Sequence, residues 1–269
     1  MPVVSVVLLS LLGLALSPVV AYGATPRTLR LAARPSLQQR LTRYANSRRG
    51  SVTVAVYDVA AHRLTLVHDR DRFVTASIVK VDILQTLLYQ RHGHLSGDER
   101  SLAKRMIEQS DNDAASALWN DVGGAAGVHR YNKKIGLTQT HPHSGGEWGL
   151  TTTSARDQVT LVRNLSGPSS VLSTSWQRYA RGLMRHVTSD QRWGISSGPS
   201  AHAVVGLKNG WLPVASDRYR WEVNSIGWVR GSDRRYQIAV LTAHQPSEGY
   251  GIDTIEHLAK LVWAHVTRS

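Results

Sequence analysis

Strand-like sequence sits near the two ends of this chain, with a long helical stretch between them. Ser51-Val52-Thr53-Val54-Ala55-Val56-Tyr57 alternates with the period of a strand, and His62 to His68 reads as its partner across a short turn. Strand character returns at Ala203 to Leu207, Trp221 to Val229 and Tyr236 to Ala243, the last two joined by a Gly231-Ser232-Asp233 hairpin turn. In between, Ser77 to Gln90, Ser101 to Gln109, Ala114 to Asn120, Asp157 to Asn164 and Ser175 to His186 carry helical patterns. The economical solution is an α/β fold of the α+β kind, with one antiparallel sheet assembled from both ends of the chain. Helices at Ser36 to Arg48, stopped by Gly50, and at Ile252 to Val266 then cover that sheet. The domain so defined runs over 36–269, with an all-helical subdomain inserted at about 75–200. A cleft is expected at the seam, a favoured place for pockets.

The first inserted helix carries an anomaly. On a wheel at about 100° per residue, Asp82, Gln85, Thr86, Tyr89 and Gln90 form its polar face. Ser77 and Lys80 fall on the other side, among Val81, Leu84, Leu87 and Leu88. Lysine is almost never fully buried without a partner. Either the helix is less buried than it looks and Lys80 snorkels to water, or the amine stands beside the Ser77 hydroxyl one turn away. In the second case desolvation lowers the lysine pKa. The neutral amine can then take the serine proton and make Ser77 a nucleophile.

Composition narrows the chemistry further. The 269 residues contain no cysteine, which excludes a disulfide framework, a lipidated cysteine, a thiol nucleophile and a thiolate metal site within them. The net charge of +13 comes mostly from scattered arginines and favours acidic partners. Anionic cell-wall polymers would fit if the protein is exported. Nucleic acid is not expected, because no basic stripe is interleaved with aromatics. Val3 to Leu16 is an apolar run too short to span a membrane. Ser17-Pro18 and mostly small residues up to Ala24 follow it, so 1–24 reads as a signal peptide although the basic n-region is missing. A retained N-terminal anchor is the alternative. Residues 25–35, with Arg27, Arg30 and Arg34, read as a flexible leader. A secreted monomer is expected.

Three short motifs occur in order: Ser77-Ile78-Val79-Lys80, Ser110-Asp111-Asn112 and Lys208-Asn209-Gly210. Alone, the second is an ordinary helix cap and the third an ordinary hairpin turn ending a strand. Together, in this order and setting, they resemble the class A β-lactamase and penicillin-binding superfamily of active-site serine enzymes, over about 36–269. The resemblance implies that Ser77 is acylated, that Lys80 is its base or proton relay, and that Ser110 passes the proton to the leaving nitrogen. It also implies that Asn112 holds the substrate amide and that Lys208 faces a substrate carboxylate, with Asn209 and Gly210 lining the same strand. The oxyanion hole would be the backbone N–H groups of Ser77 and Trp211. The substrate would be a β-lactam or a peptidoglycan-type molecule, with no metal and no cofactor.

The chain also departs from that family. Asn209 stands where a hydroxyl residue is preferred for carboxylate binding. Only about thirty residues separate Ser77 from Ser110, about half the family's interval, so the cleft should be more open. The family's deacylating glutamate lies in E-x-x-L-N, and Glu147-Trp148-Gly149-Leu150-Thr151 is the nearest match. Thr151-Thr152-Thr153, resembling the family's helix-opening run, follows too closely for a full loop. Glu147 is therefore either the deacylating base or a solvated loop carboxylate. The His92/His94 and His141/His143 pairs have no acidic partner at ligand spacing, so no metal is assigned to them. The expected activity is β-lactam hydrolysis through acyl-Ser77. A peptidase or esterase with slow deacylation and a non-catalytic wall-binding protein are the alternatives.

Overall fold

The computed structural model describes residues 1–3, 5, 35–92, 94–168 and 171–266. The expectations for the signal peptide and leader fall almost entirely outside them. Ser36 opens α1 (Leu37–Asn46) with a reciprocal capping box to Gln39, which satisfies two backbone donors at once. After the left-handed Gly50 come β1 (Ser51–Asp58), β2 (Arg63–Val67) and the short β3 (Phe73–Val74). A 3-10 turn over Ala76–Val79 leads into α2 (Lys80–Gln90). The middle of the chain then supplies α3 (Gly97–Glu108), α4 (Asn112–Asp121), α5 (Gly124–Lys134), β4 (Thr152–Thr153), α6 (Ala155–Ser166) and α7 (Thr174–Arg185). The last third returns to β5 (Val204–Val214), β6 (Arg220–Arg230), β7 (Arg235–Gln245) and α8 (Glu248–His265).

The five long strands form one antiparallel sheet in the order β2-β1-β7-β6-β5, so the two ends of the chain meet at its centre where Val54 faces Val240. Alternation along the strands sorts the side chains into two cores. Val52, Val54 and Val56 pack with Leu41 of α1 and Leu258 and Val262 of α8. Ala55, Ile226, Trp228 and Leu241 pack with the helical middle on the opposite face. This is the expected α+β architecture. β3 and β4 form a separate two-stranded ribbon, Phe73 against Thr153, that ties the approach to Ser77 to the segment between α5 and α6.

Three local readings are corrected. The polar face assigned to α2 is not a surface, since Asp82, Gln85 and Thr86 are all buried. Their partners replace water: Gln85 donates to Leu161 O and accepts from Tyr131, and Asp82 accepts from Asn132. Helix α5 was missed because Gly123, Gly124 and Gly127 depress helical propensity. Gly127 is there for closeness, as a Cβ would lie 1.8 Å from Val122 O. Finally, Lys208-Asn209-Gly210 does not end a strand. It lies in the middle of β5, which keeps pairing with β6 as far as Val214.

Candidate active site

Ser77 lies in the tight turn that precedes α2, and its own position is fixed from outside that turn. The buried Asn224 of β6 donates to the carbonyls of Val74 (2.9 Å) and Thr75 (3.1 Å) and accepts from Thr242 N–H. Ala76, between this clamp and Ser77, is held at φ +47°, a region costly for a residue with a Cβ. Ser77 is half-buried, and its N–H takes no part in the described backbone hydrogen bonds. Gly210 of β5 abuts it so closely that a Cβ there would lie 2.6 Å from Ser77 N. The backbone donors proposed for an oxyanion hole, at Ser77 and Trp211, therefore belong to touching segments.

Lys80 is fully buried, so the snorkelling alternative fails. Its amine donates to Ser110 O (2.6 Å) and Asn112 Oδ1 (2.7 Å) and lies 3.1 Å from Ser110 Oγ. No hydrogen bond joins it to Ser77 Oγ among the described residues, although they are one turn apart. The carbonyl acceptors take precedence because a desolvated amine must satisfy its N–H groups. Burial pushes the Lys80 pKa down to about 7, against a partial upward pull from Asp111. Lys208 is also fully buried and reaches Ser110 Oγ at 2.9 Å. Burial, then the nearby Lys80, holds its pKa well below the ordinary lysine range. Ser110 thus bridges two amines, and it does so from a left-handed backbone at φ +56°. Strain of this kind, of order 1–3 kcal/mol, persists where the surroundings over-determine it.

The second motif is held at a helix start. Asp111 caps α4 through Ala114 N–H, which aims Asn112 into the cluster. The Asn112 carbonyl is taken by Lys80, and its amide NH₂ remains for another acceptor. Asn209 does not join the group. Alternation along β5 puts Lys208 and Gly210 on the Ser77 face and Asn209 on the other, where its amide donates to Gln191 O (2.8 Å) and Trp193 O (3.2 Å). Its assignment as a substrate contact is corrected accordingly. The Trp211 ring points the same way and packs edge-on against Trp193, leaving its backbone as the part near Ser77.

Glu147 is also displaced from its expected place. Its side chain is 66% exposed and pairs with His143 at 3.3 Å. The left-handed Gly146 turns the chain just before it, and the next residue faces inward instead. Trp148 lays its ring 4.8 Å from Lys80 Nζ and fixes its indole N–H on Ser116 Oγ at 3.1 Å. Nothing in the sequence marks Trp148, the residue that follows Glu147 in the candidate motif. Asn224 carries only a weak signal, as one of three polar residues, with Glu222 and Ser225, in the middle of a strand. We expect Glu147→Ala to leave the lifetime of an acyl-Ser77 adduct unchanged. A markedly longer lifetime in an adduct-decay assay would restore Glu147 as the base.

Comparison with known proteins gives the family and agrees with the fold. The profile of the β-lactamase enzyme family matches residues 98–266, which include the second and third motifs but begin after Lys80. The protein designated lipoprotein LppW of Mycobacterium tuberculosis is 30% identical over 243 residues, covering 87% of this chain and 73% of that one. A class A β-lactamase from Bacteroides cellulosilyticus superposes with a TM-score of 0.75 at 17% identity, covering 86% of this chain and 99% of its own. The structure of PBP-A superposes with a TM-score of 0.74 at 20% identity, covering 86% of this chain and 97% of its own.

Proposed function

Because the chain belongs to the β-lactamase enzyme family, we propose that it is an exported active-site serine enzyme that is acylated at Ser77 and released slowly. β-Lactams and peptidoglycan-type peptides are the substrate class. In this reading the neutral Lys80 amine takes the Ser77 hydroxyl proton as Ser77 Oγ attacks the carbonyl carbon. The oxyanion forms against the N–H groups of Ser77 and Trp211. Lys80 then gives that proton to Ser110 Oγ along a contact of 3.1 Å as the Ser110 hydroxyl gives its own proton to the leaving nitrogen. Lys208, a buried amine that burial and Lys80 push towards its neutral form, steadies Ser110 Oγ beside this relay, and Asn209 faces away from it.

One observation carries the slow release. The ring of Trp148 sits beside Lys80, and Glu147 is turned out to His143, away from that side of the amine. This favours a penicillin-binding type of outcome over rapid β-lactam hydrolysis. Export is supported by the likeness to a protein designated a lipoprotein, and by the apolar run at Val3 to Leu16. The test is mass spectrometry of the protein after incubation with a labelled penicillin, beside a chromogenic cephalosporin assay. A lasting adduct at Ser77 with little colour supports the proposal. Fast turnover without an adduct would favour a β-lactamase. No adduct with any β-lactam or activated ester, in the wild type as in Ser77→Ala, would remove catalysis.

The same reading fixes a pH dependence. An amine with a pKa of about 7 is protonated below that pH and cannot accept the serine proton. The acylation rate should therefore fall about tenfold per pH unit below 7 and level off above it. A rate that keeps climbing to pH 10, as an ordinary lysine would dictate, would take Lys80 out of the base role.

A further inference from the structure

A hollow of about 500 Å³ lies well away from Ser77, lined by Arg178, Arg181 and Arg185 of α7 and by Arg230 and Arg235 at the β6–β7 turn. Arg230 is six residues beyond Asn224 on β6, or about 20 Å at a strand rise of 3.3 Å per residue. The three α7 arginines share a helix face by their i, i+3 and i+7 spacing. Arg230 and Arg235 are directly opposed across the two strands, an arrangement in which like charges destabilise a sheet. No aspartate or glutamate lines the hollow, and none of the five arginines makes an ion pair among the described residues. Arg181, half-buried, has its pKa lowered by burial and by Arg178 and Arg230.

The fold thus keeps five guanidiniums together against their mutual repulsion. It also leaves room among them. Gly182 sits in the interior of α7 within this lining, and a Cβ there would meet nothing within 4 Å. An interior helix glycine destabilises a helix relative to alanine, and no packing contact requires this one. A second hollow of about 580 Å³ shares Val59, Ser166 and Gln237 with the first and adds Lys134 and Arg163. The cationic lining therefore runs on as a track.

We propose that this track binds the phosphate groups of a soluble phosphodiester-linked polymer, one phosphate seated among the α7 arginines and Arg230 and the chain continuing towards Arg163. Guanidiniums offer paired N–H donors that match phosphate oxygens. A polymer fits better than a bilayer because the site is concave. In addition, Leu150 and Tyr219, the exposed large apolar residues of the folded domain, lie outside it, whereas interfacial binding inserts apolar side chains.

The test is fluorescence anisotropy of a labelled glycerol-phosphate oligomer with the full chain at low salt, and again with three variants. Arg178→Gln with Arg185→Gln should weaken binding about tenfold or more. Gly182→Leu, which fills the space without changing charge, should also weaken it. Arg43→Gln with Arg49→Gln, an equal charge change on exposed residues elsewhere, should shift it less than about twofold. Penicillin acylation should be unchanged in all three. Equal weakening by both arginine pairs would reduce the effect to diffuse surface charge and overturn the site. So would no binding at all, or binding to phosphatidylglycerol vesicles without binding to the soluble oligomer.

Discussion

Lys80→Ala protein incubated with a labelled penicillin should carry no adduct at Ser77 on the timescale at which the wild type is fully acylated. General-base removal costs about 10²–10⁴ in rate, and here the base is also the donor that orients Ser110 and Asn112. Folding should survive the change. The wild type buries an amine whose pKa is pushed down to about 7, so the alanine variant escapes a desolvation cost while losing hydrogen bonds and packing. A melting temperature near that of the wild type, together with lost acylation, would place the loss in the chemistry. Acylation within tenfold of wild type would remove Lys80 from the proposed mechanism and leave it a structural curiosity.

Gly210→Ala should be nearly as damaging, for a geometric reason. Its Cβ would stand 2.6 Å from Ser77 N, 2.7 Å from Ile78 N and 2.8 Å from Thr75 O. All three are backbone atoms, and Asn224 pins the Val74 and Thr75 carbonyls from the other side. The strand must therefore retreat from Ser77 and take the Trp211 N–H with it. Losing one oxyanion donor costs about 10²–10³ in rate, and the overpacking itself about 1–3 kcal/mol of stability. Stopped-time acylation assays and thermal melts measure the two effects separately. A variant that acylates normally would show that no oxyanion donor comes from β5.

The placement of most of the long helices and strands was readable because they are written in local patterns, α5 with its glycines being the exception. Ser36 with Gln39 announces α1, and the alternation in Ser51 to Tyr57 announces β1. What was not readable depends on distant neighbours. Asp82 and Gln85 look like solvent positions until α5 supplies Asn132 and Tyr131 to them. Ser77, Lys80, Ser110 and Lys208 could be assembled from motif order, and the structure brings their side chains or backbones to one place. Glu147 and Trp148 show the limit. Sequence spacing locates a segment to within a residue, but a turn at Gly146 decides which of two neighbours faces the site. Asn209 fails for the same reason, since one step along a strand exchanges cleft for core.

The joining of the two chain ends at the sheet centre has a consequence for how the protein is made. Ser51 pairs with Ala243 across the central ladder, almost the full length of the domain. Contacts at such separation slow folding, because loop closure comes before its reward. The helical middle can collapse on its own local contacts as it is synthesised. Lys208, however, reaches Ser110, and Gly210 reaches Ser77, only when the last strands arrive. An unfinished chain therefore holds a serine and a lysine but no assembled site. Completion of the polypeptide itself acts as the timer for its chemistry.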